Sequence, residues 1–292
     1  MFQRLLSKKF WKNVWSRSEN DQILGRAAQL SYFFLLALFP LLLFLITLFG
    51  YFNGEGSNLQ QRMIAYLADV MPPAALQLVV ATLDEITKGR GTGKLSLGIL
   101  LALWAASSGV NALAQALNSA YGVTETRPWW KVRLTSLAMT VALSILIVSA
   151  LILVLYGGQF GEALAARINA GQVFSITWQA LQIPFALVFL VIALVMIYRF
   201  VPNVAAKRHG KGLRPTDYRR RWFSPGIVFA VLLWLLVSLG FRLYLHFFNS
   251  YSATYGSLGA LIILMLWFYF TGAAILLGGE INCEYESEVR SS

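Results

Sequence analysis

One long apolar stretch of the sequence carries four polar residues that share one side of a helix. They are Ser108, Asn111, Gln115 and Asn118. The intervals of three, four and three residues align their side chains along one helical face. In hydrocarbon, hydroxyl and amide groups on such a face either line a polar pathway or hydrogen-bond to neighbouring helices. The spacing predicts that all four face the protein interior, and it leaves both roles open.

Two ionisable residues lie within another apolar stretch, one helical turn apart. Arg242 is six residues from the end of that stretch at Phe248, or about 9 Å at the rise of an α-helix. An arginine side chain can extend over that distance to the polar interface. With His246 on the following turn, Arg242 is a candidate for an anion-coordinating mouth at the outer membrane surface.

A run of three arginines, Arg219, Arg220 and Arg221, precedes Trp222 at the start of the same apolar stretch. One interpretation is a loop that sets the orientation of the protein in the membrane, with an interfacial tryptophan. The other is a docking site for an anionic lipid headgroup or an acidic partner. Both interpretations stay open on the sequence.

Other kinds of site are excluded by residue type or spacing. The single cysteine, Cys283, cannot form an internal disulfide or a cysteine-cluster metal site. The run from Lys88 to Lys94 is rich in glycine, but its spacing does not fit a phosphate-binding loop, and Leu95 replaces the required hydroxyl. We therefore predict neither a metal nor a cofactor.

The candidate residues require helices that cross a membrane. A hydrocarbon core of about 30 Å needs about 20 helical residues. Six stretches meet this length, at residues 27–52, 95–117, 134–156, 176–200, 225–248 and 257–277. Spans without alternating patterning are helices rather than barrel strands. The predicted class is all-α, a polytopic membrane protein with six transmembrane helices plus external and interfacial amphipathic helices.

The composition places the 292 residues in one membrane domain. Hydrophobic residues make up 58% of the chain and charged residues 13%, about half of the charged share of soluble proteins. Residues 1–26 form a basic amphipathic segment, which is an interfacial helix or an extension of the first span. Residues 53–94 are predicted to form external helices, and residues 278–292 a cytoplasmic tail. Within that tail, Glu280 is predicted to pair with a basic residue of the internal segments.

The positive charges predict the orientation. Most of the 24 lysines and arginines fall in the N-terminal segment, in the loops after the second and fourth spans, and in the C-terminal segment. This asymmetry places both termini in the cytoplasm. The net charge of +11 is then a topology signal and an attraction to anionic headgroups. Membrane lipids, anionic ones above all, are the predicted partners, and nucleic acid is not.

Several short motifs in these stretches resemble the YihY/BrkB family of bacterial inner-membrane proteins, once named ribonuclease BN. The resemblance covers residues from about 27 to 284. It is carried by residues 28–32 (AQLSY), 39–41 (FPL), 103–108 (LWAASS), 116–121 (ALNSAY), 198–203 (YRFVPN), 250–257 (SYSATYGS) and 276–282 (LLGGEIN). The last two are the most specific of these motifs.

The resemblance implies a six-span fold in the inner membrane, a link to serum resistance and a suggested transport role for lipids or envelope precursors. The ribonuclease name is not supported by the residues. Metal-dependent cleavage of phosphodiesters needs clustered histidines and carboxylates. The chain has two histidines, His209 and His246, and no H-x-H-x-D pattern, so we expect no enzyme activity.

Two functions then compete. The first is a transporter or flippase-like protein for an anionic amphiphilic envelope molecule, which the polar stripe, Arg242 and the basic inner loop favour. Because the sequence has no nucleotide-binding motif, such transport would be passive, driven by an ion gradient or dependent on a partner. The second is a non-catalytic structural or assembly factor of the envelope. The predicted spans contain no buried carboxylate for relaying protons, which counts against the first function.

Overall fold

The computed structural model describes residues 7–53, 92–168, 171–203, 224–247 and 251–291, which form seven α-helices and no β-strand. The helices are α1 (Lys8–Asn20), α2 (Ile23–Asn53), α3 (Thr92–Ala120), α4 (Trp129–Ile168), α5 (Gly171–Phe200), α6 (Pro225–Phe247) and α7 (Tyr251–Ser291). The all-α prediction is confirmed for these ranges. The predicted external helices fall mostly within residues 54–91, which lie outside the described residues.

Three helices in the described ranges are long and apolar enough to cross a membrane. These segments are Trp129–Ala150 in α4, Pro225–Tyr244 in α6 and Leu261–Val289 in α7. Two shorter apolar helices, Ile23–Leu38 and Pro184–Phe200, belong to α2 and α5. Each of the six predicted spans coincides with one of the helices α2 to α7, apart from a single residue at Phe248. The described residues therefore support a membrane protein with at least three candidate spans.

The last helix is longer than the sequence predicted. Instead of ending near Leu277, α7 continues through Gly278 and Gly279 to Ser291. Residues 278–291 of the predicted tail are therefore helical. The two glycines do not break the helix because they are packing sites, where Gly278 lies against Tyr198 of α5 and Gly226 of α6. Small residues at such positions let helices in a membrane approach closely.

The N-terminal segment forms a helix of its own and does not extend α2. After Asn20 the chain turns through Gln22, whose φ of 52° is in the left-handed region that ends a helical run. The turn directs α1 onto the C-terminal part of α7. There, Phe10 and Val14 are buried with Ile281 and Tyr285. Of the two interpretations of this segment, the separate helix is correct.

The helices pack as an open series rather than a closed ring. Helix α2 packs on α3 and α7, α3 on α4, α4 on α5, and α6 on α7, whereas α5 and α6 contact each other only slightly. The order in space is thus α5, α4, α3, α2, α7, α6. The core lies where α2, α3 and α7 meet, and Leu30, Leu117 and Leu276 are fully buried there.

Candidate functional site

The polar contacts of the described residues concentrate at one end of the bundle, which we call the basal end. It comprises α1, the loop 121–128, the C-terminal turns of α3, α5 and α7, and the first turn of α6. Three of the family-like motifs, at residues 116–121, 198–203 and 276–282, meet there. By the distribution of positive charge, it is the end predicted to face the cytoplasm.

Asn118 joins α3 to the end of α5. Its Oδ1 accepts a hydrogen bond of 2.6 Å from the backbone N–H of Asn203, and its Nδ2 donates one of 2.9 Å to Oε2 of Glu125. Asn203 in turn donates from Nδ2 to the Thr124 carbonyl and to Oγ1 of Thr126. Both asparagines are buried. Buried polar groups must be paired, and this network pairs them across 85 residues of sequence.

Glu125 and Arg127 fix the loop 121–128. Arg127 donates from Nε to Oε1 of Glu125 at 2.9 Å and from Nη2 to Oε2 at 2.7 Å, in the two-pronged geometry that arginine makes with carboxylates. Its Nη2 also donates to the Val201 carbonyl at the end of α5. Partial burial raises the pKa of Glu125, but the hydrogen bonds from Arg127 and Asn118 outweigh it and hold that pKa below 4.5.

Helices α6 and α7 cross at two glycines. A side chain on Gly226 would collide with the Gly278 carbonyl, and one on Gly278 would collide with the Tyr198 hydroxyl. The Gly226 N–H, which has no partner within the first turn of α6, donates to Oδ1 of Asn282 at 2.8 Å. The Tyr198 hydroxyl donates to the Ile275 carbonyl at 2.7 Å. These contacts place α5, α6 and α7 together at the basal end.

Arg17 of α1 carries the charge of the innermost cluster. Its Nε lies 3.1 Å from Oε2 of Glu280, and its Nη1 lies 3.5 Å from Oε2 of Glu284. Nη2 donates to the Ala120 carbonyl and to Sγ of Cys283. The Glu280 side chain is 0% exposed. The predicted pairing of Glu280 with a basic residue is confirmed. Glu280 lies three residues beyond the predicted sixth span, and α7 carries its carboxylate into the buried interior.

The predicted polar stripe of α3 divides into separate environments. Asn118 is buried, Ser108 and Asn111 are half-buried, and Gln115 is exposed. The prediction that all four face the interior is therefore wrong for Gln115. Gln115 lies about 20° from Ser108 around the helix axis and so within the arc of the stripe, which means that the packing around α3, and not the helical spacing, decides its exposure.

A cation missed by the functional interpretation lies beside Ser108. The Arg133 guanidinium stacks over the Trp104 ring, with its central carbon 3.8 Å from the ring centroid. Its Nη1 is 3.4 Å from Oγ of Ser108, and Nη2 contacts the Trp104 carbonyl. In the sequence, Arg133 counted only as one of the positive charges that predict the orientation in the membrane. Arg133 immediately precedes the predicted span at residues 134–156, and nothing in the sequence pairs it with Trp104, so the sequence held no signal for this cation–π contact.

The remaining candidate residues are far from the basal end or outside the described ranges. The Arg242 side chain is exposed on α6, 17 residues beyond Pro225, or about 26 Å along the helix. The His246 side chain and the whole of Arg219, Arg220 and Arg221 lie outside the described residues. Among these cationic candidates, only the side chain of Arg242 is within the described residues.

The basal end has the chemistry of a pairing network. In the described part of the chain, no group of three or more histidine, cysteine, aspartate or glutamate side chains is placed to hold a metal ion. The amides of Asn118, Asn203 and Asn282 bond to the protein itself. Sequence reasoning missed Arg17, Glu125 and Asn203, whose partners are distant in sequence or belong to a loop.

Comparison with known proteins places these features in one family. The pattern of the family described as virulence factor BrkB matches residues 14–292. The putative ribonuclease-like protein YfkH of Bacillus subtilis is 37% identical over 273 residues, which cover 94% of each chain. UPF0761 membrane proteins of Xanthomonas campestris pv. campestris and Xanthomonas axonopodis pv. citri are each 27% identical over 95% of this chain.

The chain spans 61% of the length of those Xanthomonas relatives. No solved structure matches it. The matched residues include every hydrogen bond and ion pair of the basal end described above.

Proposed function

Because the chain belongs to the virulence factor BrkB family, whose relatives include UPF0761 membrane proteins, we propose that it moves an anionic amphiphilic envelope molecule across its membrane. The cargo is a lipid or a lipid-like precursor. The proposal includes six spans in the bacterial inner membrane, both termini in the cytoplasm and no enzymatic reaction.

The observation that carries the proposal is the seam between α5 and α6. These helices end the open series, and what contact they make is slight, while Tyr198 holds α5 beside Gly226 and Gly278 at the basal end. An amphiphile that crosses a membrane needs a route for its headgroup while its tail stays in hydrocarbon. A seam between two helices, closed at one end, is suited to this.

The exposed surfaces of α5 and α6 carry many large apolar side chains. On α6 these include Val228, Leu232, Leu235, Leu236, Leu239 and Leu243, and on α5 they include Leu181, Phe185, Val188 and Ile192. Apolar side chains facing lipid are compatible with acyl chains at no desolvation cost.

Arg242 supplies the charge selection in this proposal. It is exposed on α6 near the end opposite to the basal end, where an arginine extends to the interface and attracts a phosphate or carboxylate. Ser108 and Asn111, both half-buried on α3, are the remaining candidates for an interior polar route. The Arg219 to Arg221 run is proposed to attract the headgroup on the cytoplasmic side.

Lipid movement in liposomes tests the proposal. Purified protein is reconstituted, and the transfer of fluorescently labelled phosphatidylglycerol between leaflets is followed by chemical quenching. We expect wild type to accelerate transfer over protein-free liposomes. Arg242→Gln should lower the rate about tenfold, equivalent to about 1.4 kcal/mol in the barrier. Arg242→Lys, which keeps the charge, should retain most of it.

The control is Lys131→Gln, which removes one exposed cation at the basal end. It should leave the rate unchanged. A wild-type rate equal to that of protein-free liposomes would overturn transport, and equal rates for wild type and Arg242→Gln would remove the assigned role of Arg242. Labelled phosphatidylcholine separates selection by headgroup charge from general lipid scrambling.

The alternative function is a non-catalytic assembly factor of the envelope. Its specific support is that Asn118, part of the supposed pathway, uses both amide atoms within the network at the basal end. An assembly factor predicts no lipid movement by wild type. It also predicts that Asn118→Leu abolishes serum resistance in cells through loss of folded protein, in parallel with its abundance.

A further inference from the structure

The cluster around Arg17 contains more negative than positive side chains. Arg17 faces Glu280 and Glu284 of α7, and Asp21, next to the end of α1, also interacts with the Glu280 side chain. The other groups described here are neutral: the Asn13 amide on Glu284, the Ala120 carbonyl and the Cys283 thiol. Arg26 reaches the backbone carbonyl of Asp21.

Glu280 is the member of this cluster least able to carry a charge. Its side chain is 0% exposed. Oε2 receives the Arg17 Nε–H, but Oε1 is buried without a hydrogen-bond partner. An ionised carboxylate with one unpaired buried oxygen is costly, because solvent no longer stabilises that charge. A proton on that oxygen removes the charge and turns the oxygen into a donor.

We propose that Glu280 is a proton-binding site, and that its proton keeps α1 docked on α7. With the proton bound, Arg17 and Glu284 form a balanced pair, and the Glu280 O–H has the Asp21 carboxylate as an acceptor. When the proton leaves, the buried cluster gains an uncompensated negative charge. Undocking of α1 then exposes Glu280 to water and relieves that charge.

The interface that holds α1 on α7 is small, so a single charge has a large effect on the stability of the docked state. Phe10 and Val14 of α1 pack against Ile281 and Tyr285 of α7, and Trp11 touches Phe229 of α6. Beyond these apolar contacts, the cluster supplies the attachment through Arg17 and Asn13. The direction of the pH dependence follows from this charge. Acid pH favours the docking of α1 on α7, and alkaline pH favours its release.

Cys283 reports this motion without any introduced label site. It is the single cysteine of the chain, it is buried, and the Arg17 guanidinium covers its sulfur at 2.8 Å. The experiment measures the rate at which a maleimide modifies the full-length protein in detergent, from acid to alkaline pH. Each rate is divided by that of the denatured protein, which removes the intrinsic pH dependence of thiol reactivity.

We expect the protection of Cys283 to fall about tenfold per pH unit above the pH at which Glu280 ionises in the released state, and to level off once Glu280 is ionised in the docked state as well. Glu280→Gln, which is neutral at every pH, should keep Cys283 protected throughout. Glu284→Gln is the matched control, because it removes a carboxylate from the same cluster but leaves the titrating group, so pH dependence should persist. Wild-type protection that is independent of pH, or an unchanged pH dependence in Glu280→Gln, would overturn the proposal.

Infrared spectroscopy gives a second measurement in case Glu280→Gln does not fold. A protonated carboxyl has its own carbonyl stretching band. We expect this band in wild type at neutral pH, and a shifted band in Glu280→Asp, which keeps the carboxyl group. No such band in wild type would show that Glu280 is ionised. Neither measurement depends on lipid movement, so this inference and the proposed function fail or stand separately.

Discussion

The basal end and the seam between α5 and α6 are built in opposite ways. At the basal end, five helices are joined by amide networks, an ion cluster and two glycines in close contact. By contrast, α5 and α6 expose many apolar side chains and contact each other only slightly. Lipid is as apolar as leucine, so apolar side chains alone give little association between helices in a membrane.

This difference shows which helices are held in place and which can move apart. Hydrogen bonds and close glycine contacts hold helices in one register, because displacement leaves buried polar groups unpaired. The contact between α5 and α6 is slight, so these two helices can separate at a lower cost than the helices at the basal end. The following predictions test the contrast, beginning with the largest expected effect.

Arg17→Met should weaken the basal end most. It removes the cation that faces Glu280 and Glu284 and leaves the buried Glu284 charge without its partner, at a cost of about 4 kcal/mol. The measurement is the thermal unfolding midpoint in detergent. Lys12→Met is the control, since Lys12 is exposed on the same helix and should change the midpoint little. Equal midpoints for the two variants would contradict the assigned role of Arg17.

Gly226→Ala should destabilise the crossing of α6 and α7 by about 3 kcal/mol. The added methyl group collides with the Gly278 carbonyl, which belongs to a helix backbone and cannot move alone. Gly240→Ala is the matched control on the same helix, because no atom lies within 4 Å of the added group. The yield of folded protein and the unfolding midpoint compare the two variants. A loss of stability in Gly240→Ala as large as that in Gly226→Ala would contradict the assignment of Gly226 as a close-packing site.

Asn118→Leu should cost about 2 kcal/mol, because it leaves the Asn203 N–H without its acceptor in a buried site. Gln115→Leu, nearly one turn earlier on the same helix, replaces an exposed amide and should be neutral or stabilising. Denaturant unfolding of both variants gives the comparison. A smaller loss of unfolding free energy in Asn118→Leu than in Gln115→Leu would contradict the role of Asn118 as a buried hydrogen-bond acceptor.

Glu125 should produce the smallest effect, which appears as a dependence on pH. Its folded pKa is lowered below 4.5 by Arg127 and Asn118 despite partial burial. The stabilisation is therefore complete above pH 4.5 and is lost as the pH falls through the folded pKa. Unfolding midpoints measured on acidification test this. Arg127→Gln should reduce the fall of the unfolding midpoint at acid pH. An unchanged fall would mean that another carboxylate causes it.

The sequence predicted the individual helices better than their contacts. Apolar length located the helices α2 to α7 because membrane helices need about 20 apolar residues wherever they occur. The spacing of Asn118 indicated that its amide needs partners, but not that Asn203 is one of them. Likewise, Glu280 required a cation, but which arginine supplies it depends on the turn at Gln22.

Gln115 and α7 show why the remaining features were missed. Helical spacing gives relative directions around one helix and does not fix which side meets the neighbours, so Gln115 was placed inside. The predicted sixth span ends at Leu277 because hydrophobic length marks only the part of a helix that lies in hydrocarbon. Glycine has a low helix propensity, but the packing of Gly278 against Tyr198 and Gly226 outweighs it and carries α7 on to Ser291.

The sequence by itself determined that this is an all-α membrane protein, since hydrophobic length and composition act locally and the bilayer sets their scale. Its short motifs also indicated the family. Tertiary structure alone decided that Arg17 covers Glu280, that Asn118 joins Asn203, and that α5 and α6 leave a seam. Each of these depends on residues far apart in sequence, and buried polar groups acquire their partners only when the helices have packed.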